Sequence, residues 1–240
     1  MLKAESLSKR YEDGNLALDG LDLEIGQGEV YCLLGANGAG KTTTINLFFN
    51  FIQPTGGRAL VGGIDSAASP IEARKQMAYI SENVMLYGVL TARQNLRFFA
   101  DISGKTLNED DCCGLLDKVG LGRSDLHSRV KTFSKGMRQK LGLAIALMRD
   151  TPAIVMDEPT SGLDPKASRD FIDLILSLKN RGKTMFISTH DIHRVKEIAD
   201  KVGIMKKGRL AVEKKHSEFD TESLQKLYIE CMDDAEPQLG

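Results

Sequence analysis

The chain has 240 residues, 42% of them hydrophobic and 27% charged, a size and balance suited to one large α/β domain or two small lobes. Its net charge of −1 carries no bulk basic excess of the kind that marks a nucleic-acid binder. The four cysteines, Cys32, the adjacent Cys112 and Cys113, and Cys231, have neither a disulfide framework nor zinc-ligand spacing, so a reduced, cytosolic setting is expected.

In chain order, residues 1–5 lack the apolar segment of a signal peptide. A first group of strand signals runs from Leu2 to about Ile80. Within it, residues 29–34 form a short apolar run that reads as a buried strand, with Cys32 as a small core residue. Residues 43–49 read as the start of a helix. Residues 56–63 have the form of a glycine-bounded hairpin strand, and residues 77–80 are a further short strand. The middle stretch, about 84–150, is helical. Thr91 and Gln94 have capping-box spacing, with Leu96, Phe99 and Ala100 following at helical intervals. Asn108 opens a second helix with Cys112, Leu115, Leu116 and Val119 on its apolar face, ended by Gly120 or Gly122. A third helix is expected over 136–148. Its apolar stretch near Leu141 to Met148 is far shorter than the ~20 residues needed to cross a bilayer.

A second group of strands begins at residues 153–156 and continues at 184–188, 202–205 and 208–212, the last two as an edge hairpin. Helical patterns between strands are what a parallel sheet requires. Beyond residue 213 one amphipathic helix carries Leu224, Leu227, Tyr228 and Cys231 on a face. The end, residues 233–237, is expected to be disordered.

Chemistry concentrates at four places. Gly35, Ala36, Asn37, Gly38, Ala39, Gly40, Lys41 and Thr42 fit G-x-x-x-x-G-K-[ST], a phosphate-binding loop, and stand between a strand and the helix entered at Thr43. That order aims backbone N–H groups and a helix dipole at one point. Lys41 is expected to meet the β- and γ-phosphates, and the Thr42 hydroxyl to ligate Mg²⁺. The apolar run 153–156 ends in Asp157 and Glu158, at the sheet edge where open α/β folds bind ligands. Asp157 is assigned to the metal and Glu158 to the attacking water, the alternative being an acidic N-cap of the next helix. His190 follows the strand 184–188 and is placed to contact a γ-phosphate oxygen or orient the catalytic carboxylate. Phe133-Ser134-Lys135-Gly136-Met137 puts a serine and a glycine at the start of the third helix. This is either a second anion site or a plain N-cap, and the two readings are compatible.

These elements in this order resemble the ATP-binding subunit of an ABC transporter, over about residues 2–212. The resemblance implies a phosphate-loop ATPase core of RecA-like α/β type, with an N-terminal antiparallel β subdomain and the helical subdomain inserted at about 84–150. The ATPase domain would span 1–213, with a C-terminal helix and flexible tail in 214–240. The family's L-S-G-G-Q signature is represented by residues 133–137; Ser134 and Gly136 match, while Phe133, Lys135 and Met137 depart. This variant resembles subunits serving export-type permeases. The resemblance also assigns Tyr11 to stacking on adenine, Asp164 to the acid after the catalytic strand, His190 to the switch histidine, and Ser134, Lys135, Gly136 and Met137 to the nucleotide. It implies ATP and Mg²⁺ as bound cofactors. Two ATPase subunits, copies or paralogues, would sandwich the nucleotides, and an integral membrane permease would dock around Glu82 to Leu96. No nucleic acid is implied, and the subunit would sit in the cytoplasm on the inner face of the membrane. The family usually has glutamine where this chain has Glu82. A carboxylate there is expected to bind the metal and to tighten coupling to Mg²⁺.

A GTPase would need a guanine-reading N-K-x-D segment, which is absent. A soluble, non-transport ABC-type ATPase acting on DNA or ribosomes would carry a long coiled coil or two fused ATPase units, for which 240 residues leave no room. A binding module without turnover would not need both Glu158 and His190.

Overall fold

In the computed structural model, which describes residues 1–232, two strands come first, β1 (Leu2–Arg10) and β2 (Leu16–Ile25). They are followed by β3 (Val30–Gly35), α1 (Lys41–Phe48), β4 (Gly56–Val61), β5 (Ile64–Asp65), α2 (Pro70–Lys75) and β6 (Met77–Ile80). Three longer helices come next: α3 (Ala92–Ile102), α4 (Glu109–Lys118) and α5 (Lys135–Arg149). The chain then runs through β7 (Ala153–Asp157), α6 (Pro165–Asn180), β8 (Thr184–Thr189), α7 (Ile192–Ile198), β9 (Lys201–Lys206), β10 (Arg209–Lys215) and α8 (Thr221–Met232).

The strands make two sheets. One is antiparallel, in the order β2-β1-β4-β5; the other is β10-β9-β3-β8-β7-β6, parallel except for the edge strand β10. All four strands of the antiparallel sheet come from the first 65 residues, as expected, and β1 pairs with β4 as well as with β2.

Period-two alternation along β3 separates two cores. Tyr31 and Leu33 face the antiparallel sheet, where they meet Ile45 and Phe48 of α1, Phe186 and Val155. Cys32 and Leu34 face the other way, into a core built with the helices. A strand covered on both faces reads as an unbroken apolar run, which is why residues 30–34 show no alternation in hydropathy. All six β3 residues are buried.

Residues 81–152 lead from the end of β6 to the start of its parallel neighbour β7, with Met77 registered on Ala153. Helices α3, α4 and α5 lie in this crossover. Thr91 caps α3 as its spacing requires: its hydroxyl accepts from Gln94 N at 3.2 Å, and Thr91 N donates to Gln94 Oε1 at 2.9 Å. Asn108 and Asp111 form the same reciprocal pair at α4, both bonds at 2.9 Å. Helix α5 extends one residue beyond each expected end, with Ser134 as its N-cap. On α8, Leu224 is buried and Leu227, Tyr228 and Cys231 are half-buried against the helical core. The tail expected to be disordered lies outside the described residues. Among the described residues, no helix is long and apolar enough to cross a membrane.

Candidate nucleotide site

The loop between β3 and α1 takes its shape from two glycines. Gly40 sits at the N-cap of α1 with φ of 110°, where a Cβ would stand 2.6 Å from the Ala17 carbonyl oxygen; no other residue fits. Gly38, at φ of 80°, faces open space. Lys41 is 6% exposed, and its ammonium folds back to donate to Gly35 O at 2.6 Å and Ala36 O at 3.2 Å. A short helix with no acidic residue in its first turn leaves that N-terminus electropositive.

The edge of the parallel sheet supplies the carboxylates. Asp157 ends β7, buried, between two hydroxyls: Thr42 Oγ1 donates to Oδ2 at 3.0 Å, and Ser188 Oγ donates to Oδ1. The next residue, Glu158, is in the left-handed region at φ of 47°, held there by its N–H donating to the Ser188 carbonyl at 3.1 Å. Glu158 Oε1 lies 3.5 Å from Lys41 Nζ, and Oε2 lies 2.9 Å from Nδ1 of His190, which follows β8. Buried Oε1 has no hydrogen-bond partner. Burial, and then the negative charge of Asp157, push the Tyr79 phenol up to about 12.

A cavity of about 260 Å³ opens here, lined by Tyr11, Asn15 and Ala17 on one side, the loop residues Ala36, Asn37, Gly38, Gly40, Lys41, Thr42 and Thr43 beneath, and Glu82, Asp157 and Glu158 on the other. Thr42 and Asp157 offer hard oxygen donors, and Lys41 with the helix N-terminus offers positive charge. Among the described residues, no three His, Cys, Asp or Glu side chains converge as a self-sufficient metal site. A divalent cation here would draw the rest of its ligands from phosphate and water, as Mg²⁺ does. The residues therefore fit a metal triphosphate, with Glu158 beside Lys41 at its edge.

Gly35 and Ala39 support the loop without lining this cavity; a Cβ on Gly35 would come 2.7 Å from Met205 O. The segment 134–137 and Asp164 do not line it either. Ser134 Oγ accepts from Met137 N at 3.2 Å, an ordinary cap. Gly136 has a packing reason as well, since a Cβ there would lie 2.9 Å from Ala167 Cβ on α6. Asp164 caps α6 through Ala167 N at 2.8 Å, so the acidic N-cap weighed for Glu158 belongs to Asp164 instead.

Three contributors escaped the sequence reading. Ser188 holds both Asp157 and the Glu158 backbone; its signal was a hydroxyl at the polar end of an apolar strand. Gln139, buried in α5, donates to Ser81 O at 3.3 Å and Glu82 O at 2.8 Å. Ser161 donates to Glu82 Oε1 at 2.9 Å. The last two look like surface polar residues in a linear chain.

Residues 18–161 match the ABC transporter family. The chain is 34% identical over 229 residues to the lantibiotic transport ATP-binding protein SrtF of Streptococcus pyogenes, covering 95% of this chain and 96% of that one. It is 37% identical over 212 residues to a fluoroquinolones export ATP-binding protein of Mycobacterium tuberculosis, covering 88% and 69%. A dimeric ATP-binding cassette in a post-hydrolysis state, bound to ADP and Pi, superposes with a TM-score of 0.81 at 25% identity, over 91% of this chain and all of that one (100%). The chain belongs to the ABC transporter family, and it is an ATP-binding and ATP-hydrolysing subunit of such a transporter.

Proposed function

We propose that this subunit works in pairs, closing on ATP and Mg²⁺ to drive export through a separate membrane permease. The observation that carries the reading is Glu158, braced between Lys41 and His190 at the edge of a phosphate-loop cavity with one buried oxygen unsatisfied.

The backbone N–H groups of 36–41 and the Lys41 ammonium bind the β- and γ-phosphates, and Tyr11 stacks on the base. Thr42 and Asp157 hold Mg²⁺, with Glu82 at the rim. The metal supplies charge neutralisation on the phosphate oxygens. Glu158 accepts the proton of the attacking water, and the His190 imidazole orients that carboxylate and faces the γ-phosphate. Lys41 leaves its own loop carbonyls for phosphate when nucleotide arrives.

Ser134, Lys135, Gly136, Met137 and Asp164 lie away from this chain's cavity, so they serve the nucleotide of the second subunit, a copy or a paralogue. Ser134 caps α5, and the N-terminus of that helix would seat the anion. Exposed Met85, Tyr87 and Val89 lie between Glu82 and Leu96, where a cytoplasmic helix of the permease would dock. That docking holds the subunit on the inner face of the membrane. Export is favoured by the 133–137 variant and by relatives named for lantibiotic transport and fluoroquinolone export. The cargo is read by the permease.

Glu158→Gln should abolish turnover, by at least about a hundredfold, and trap an ATP-bound dimer. Size-exclusion chromatography with saturating ATP and Mg²⁺ checks this; a variant that stays monomeric would count against the pairing, and one that still hydrolyses ATP against Glu158 as the base.

A further inference from the structure

Two positions where this chain departs from the family pattern stand beside one another. Glu82 replaces the usual glutamine, and Lys135 replaces the third residue of the signature. Lys135 Nζ lies 3.9 Å from Glu82 Oε1, the oxygen that accepts the 2.9 Å hydrogen bond from Ser161. The lysine reaches it across Gly162, which has φ of 64°; a Cβ there would stand 3.1 Å from Nζ. From beneath, Gln139 Nε2 grips the Glu82 carbonyl at 2.8 Å. The loop after β6, the first turn of α5 and the turn after β7 thus meet on one carboxylate.

The carboxylate has a reason to need a cation. Glu82 lines the same cavity as Asp157 and Glu158, so it adds a third negative charge to a site where glutamine would add none. Lys135 offsets that charge from outside the cavity. Its ammonium and the Ser161 hydroxyl engage an oxygen that would otherwise be open to a metal.

We propose that Lys135 and Ser161 are positioning residues of Glu82: they clasp its carboxylate at the cavity rim, and Glu82 would have to leave them to serve a metal triphosphate. The exchange couples two events. Glu82 would become available to a metal, and the Lys135 ammonium, at the N-terminus of α5, would be freed for an anion of the second subunit. The proposal rests on the nucleotide reading above and adds to it a cation threshold set by residues that do not touch this chain's nucleotide.

The test is equilibrium binding of a fluorescent non-hydrolysable ATP analogue, titrated with Mg²⁺ at a protein concentration where the chain is monomeric. Ser161→Ala and Lys135→Gln should each lower the Mg²⁺ concentration at half-saturation, by about two- to fivefold for contacts of this exposure, and Lys135→Arg should restore the wild-type value. Both effects should disappear when Glu82→Gln is also present. Ser161→Ala changes no charge, so it separates release of a clasp from a general change in field. Unchanged midpoints, weaker Mg²⁺ binding, or effects that persist undiminished with Glu82→Gln would overturn the proposal. A wild-type chain with no Mg²⁺-dependent binding would instead remove the underlying nucleotide reading.

Discussion

At the scale of single residues, the site works by giving each charged group two claims on it. Lys41 bonds its own loop carbonyls and lies 3.5 Å from Glu158; Asp157 accepts from Thr42 and from Ser188. The two hydroxyls fix the orientation of the Asp157 carboxylate, which lowers the reorganisation asked of that group on binding. Ser188 is fully buried and serves both acids at once, through its hydroxyl and its carbonyl. Ser188→Ala removes the hydroxyl that donates to a buried carboxylate, so it should cost about 1.5–3 kcal/mol of stability. It should also lower hydrolysis by freeing Asp157 to rotate. Urea unfolding and ATPase rate measured together check this, and an unchanged unfolding midpoint would show that the hydrogen bond contributes nothing.

At the scale of elements, α5 is the piece that connects the helical crossover to the site. Its N-terminal turn carries Ser134 and Lys135, and its middle carries Gln139 and Gly142. A Cβ on Gly142 would come 2.9 Å from Val84 Cγ1 and 3.1 Å from Cγ2, so glycine lets the loop bearing Glu82 lie directly on the helix. Gly142→Ala raises helix propensity by about 1 kcal/mol but presses Val84 outward, an overpacking that costs about 1–3 kcal/mol. The net expectation is a loss of stability that Val84→Ala relieves, because the same contact is removed from the other side. A double-mutant cycle in urea gives the answer: additive effects would mean that the contact does not limit the packing.

At the scale of the whole molecule, ionisable groups set into the parallel sheet impose an alkaline limit. Burial pushes the Tyr31 phenol well above its ordinary 10.0, with Glu213 adding to the shift, and pushes the Cys32 thiol above its ordinary 9.0. Tyr79 is raised to about 12. Each of these acids holds its proton more tightly in the native state than in the unfolded chain. Their stability contributions are therefore complete below the unfolded values near 9 to 10 and are lost as pH climbs towards the native ones. Unfolding free energy should fall steadily from about pH 9 to 12, and Tyr79→Phe should make the decline shallower. A flat profile in urea titrations over that range would contradict the burial argument.

Local pattern was enough for much of this molecule. The glycine loop, the capping boxes at Thr91 and Asn108, the apolar strand ending in Asp157 and Glu158, and His190 after a strand are all short-range patterns that can be recognised from neighbours in sequence. The antiparallel sheet was less legible, because β1 takes partners on both sides, one of them about fifty residues away. Linear order also hid the roles of Ser188, Gln139 and Ser161, since a polar side chain reads alike whether it meets water or a carboxylate from another strand. The chain by itself determined the loop between β3 and α1, because that loop's backbone geometry is a local matter of glycine and helix. Only the tertiary structure decided that Lys135 and Glu82, 53 positions apart, would share a single oxygen with Ser161, because that meeting depends on how α5 lies across the ends of β6 and β7.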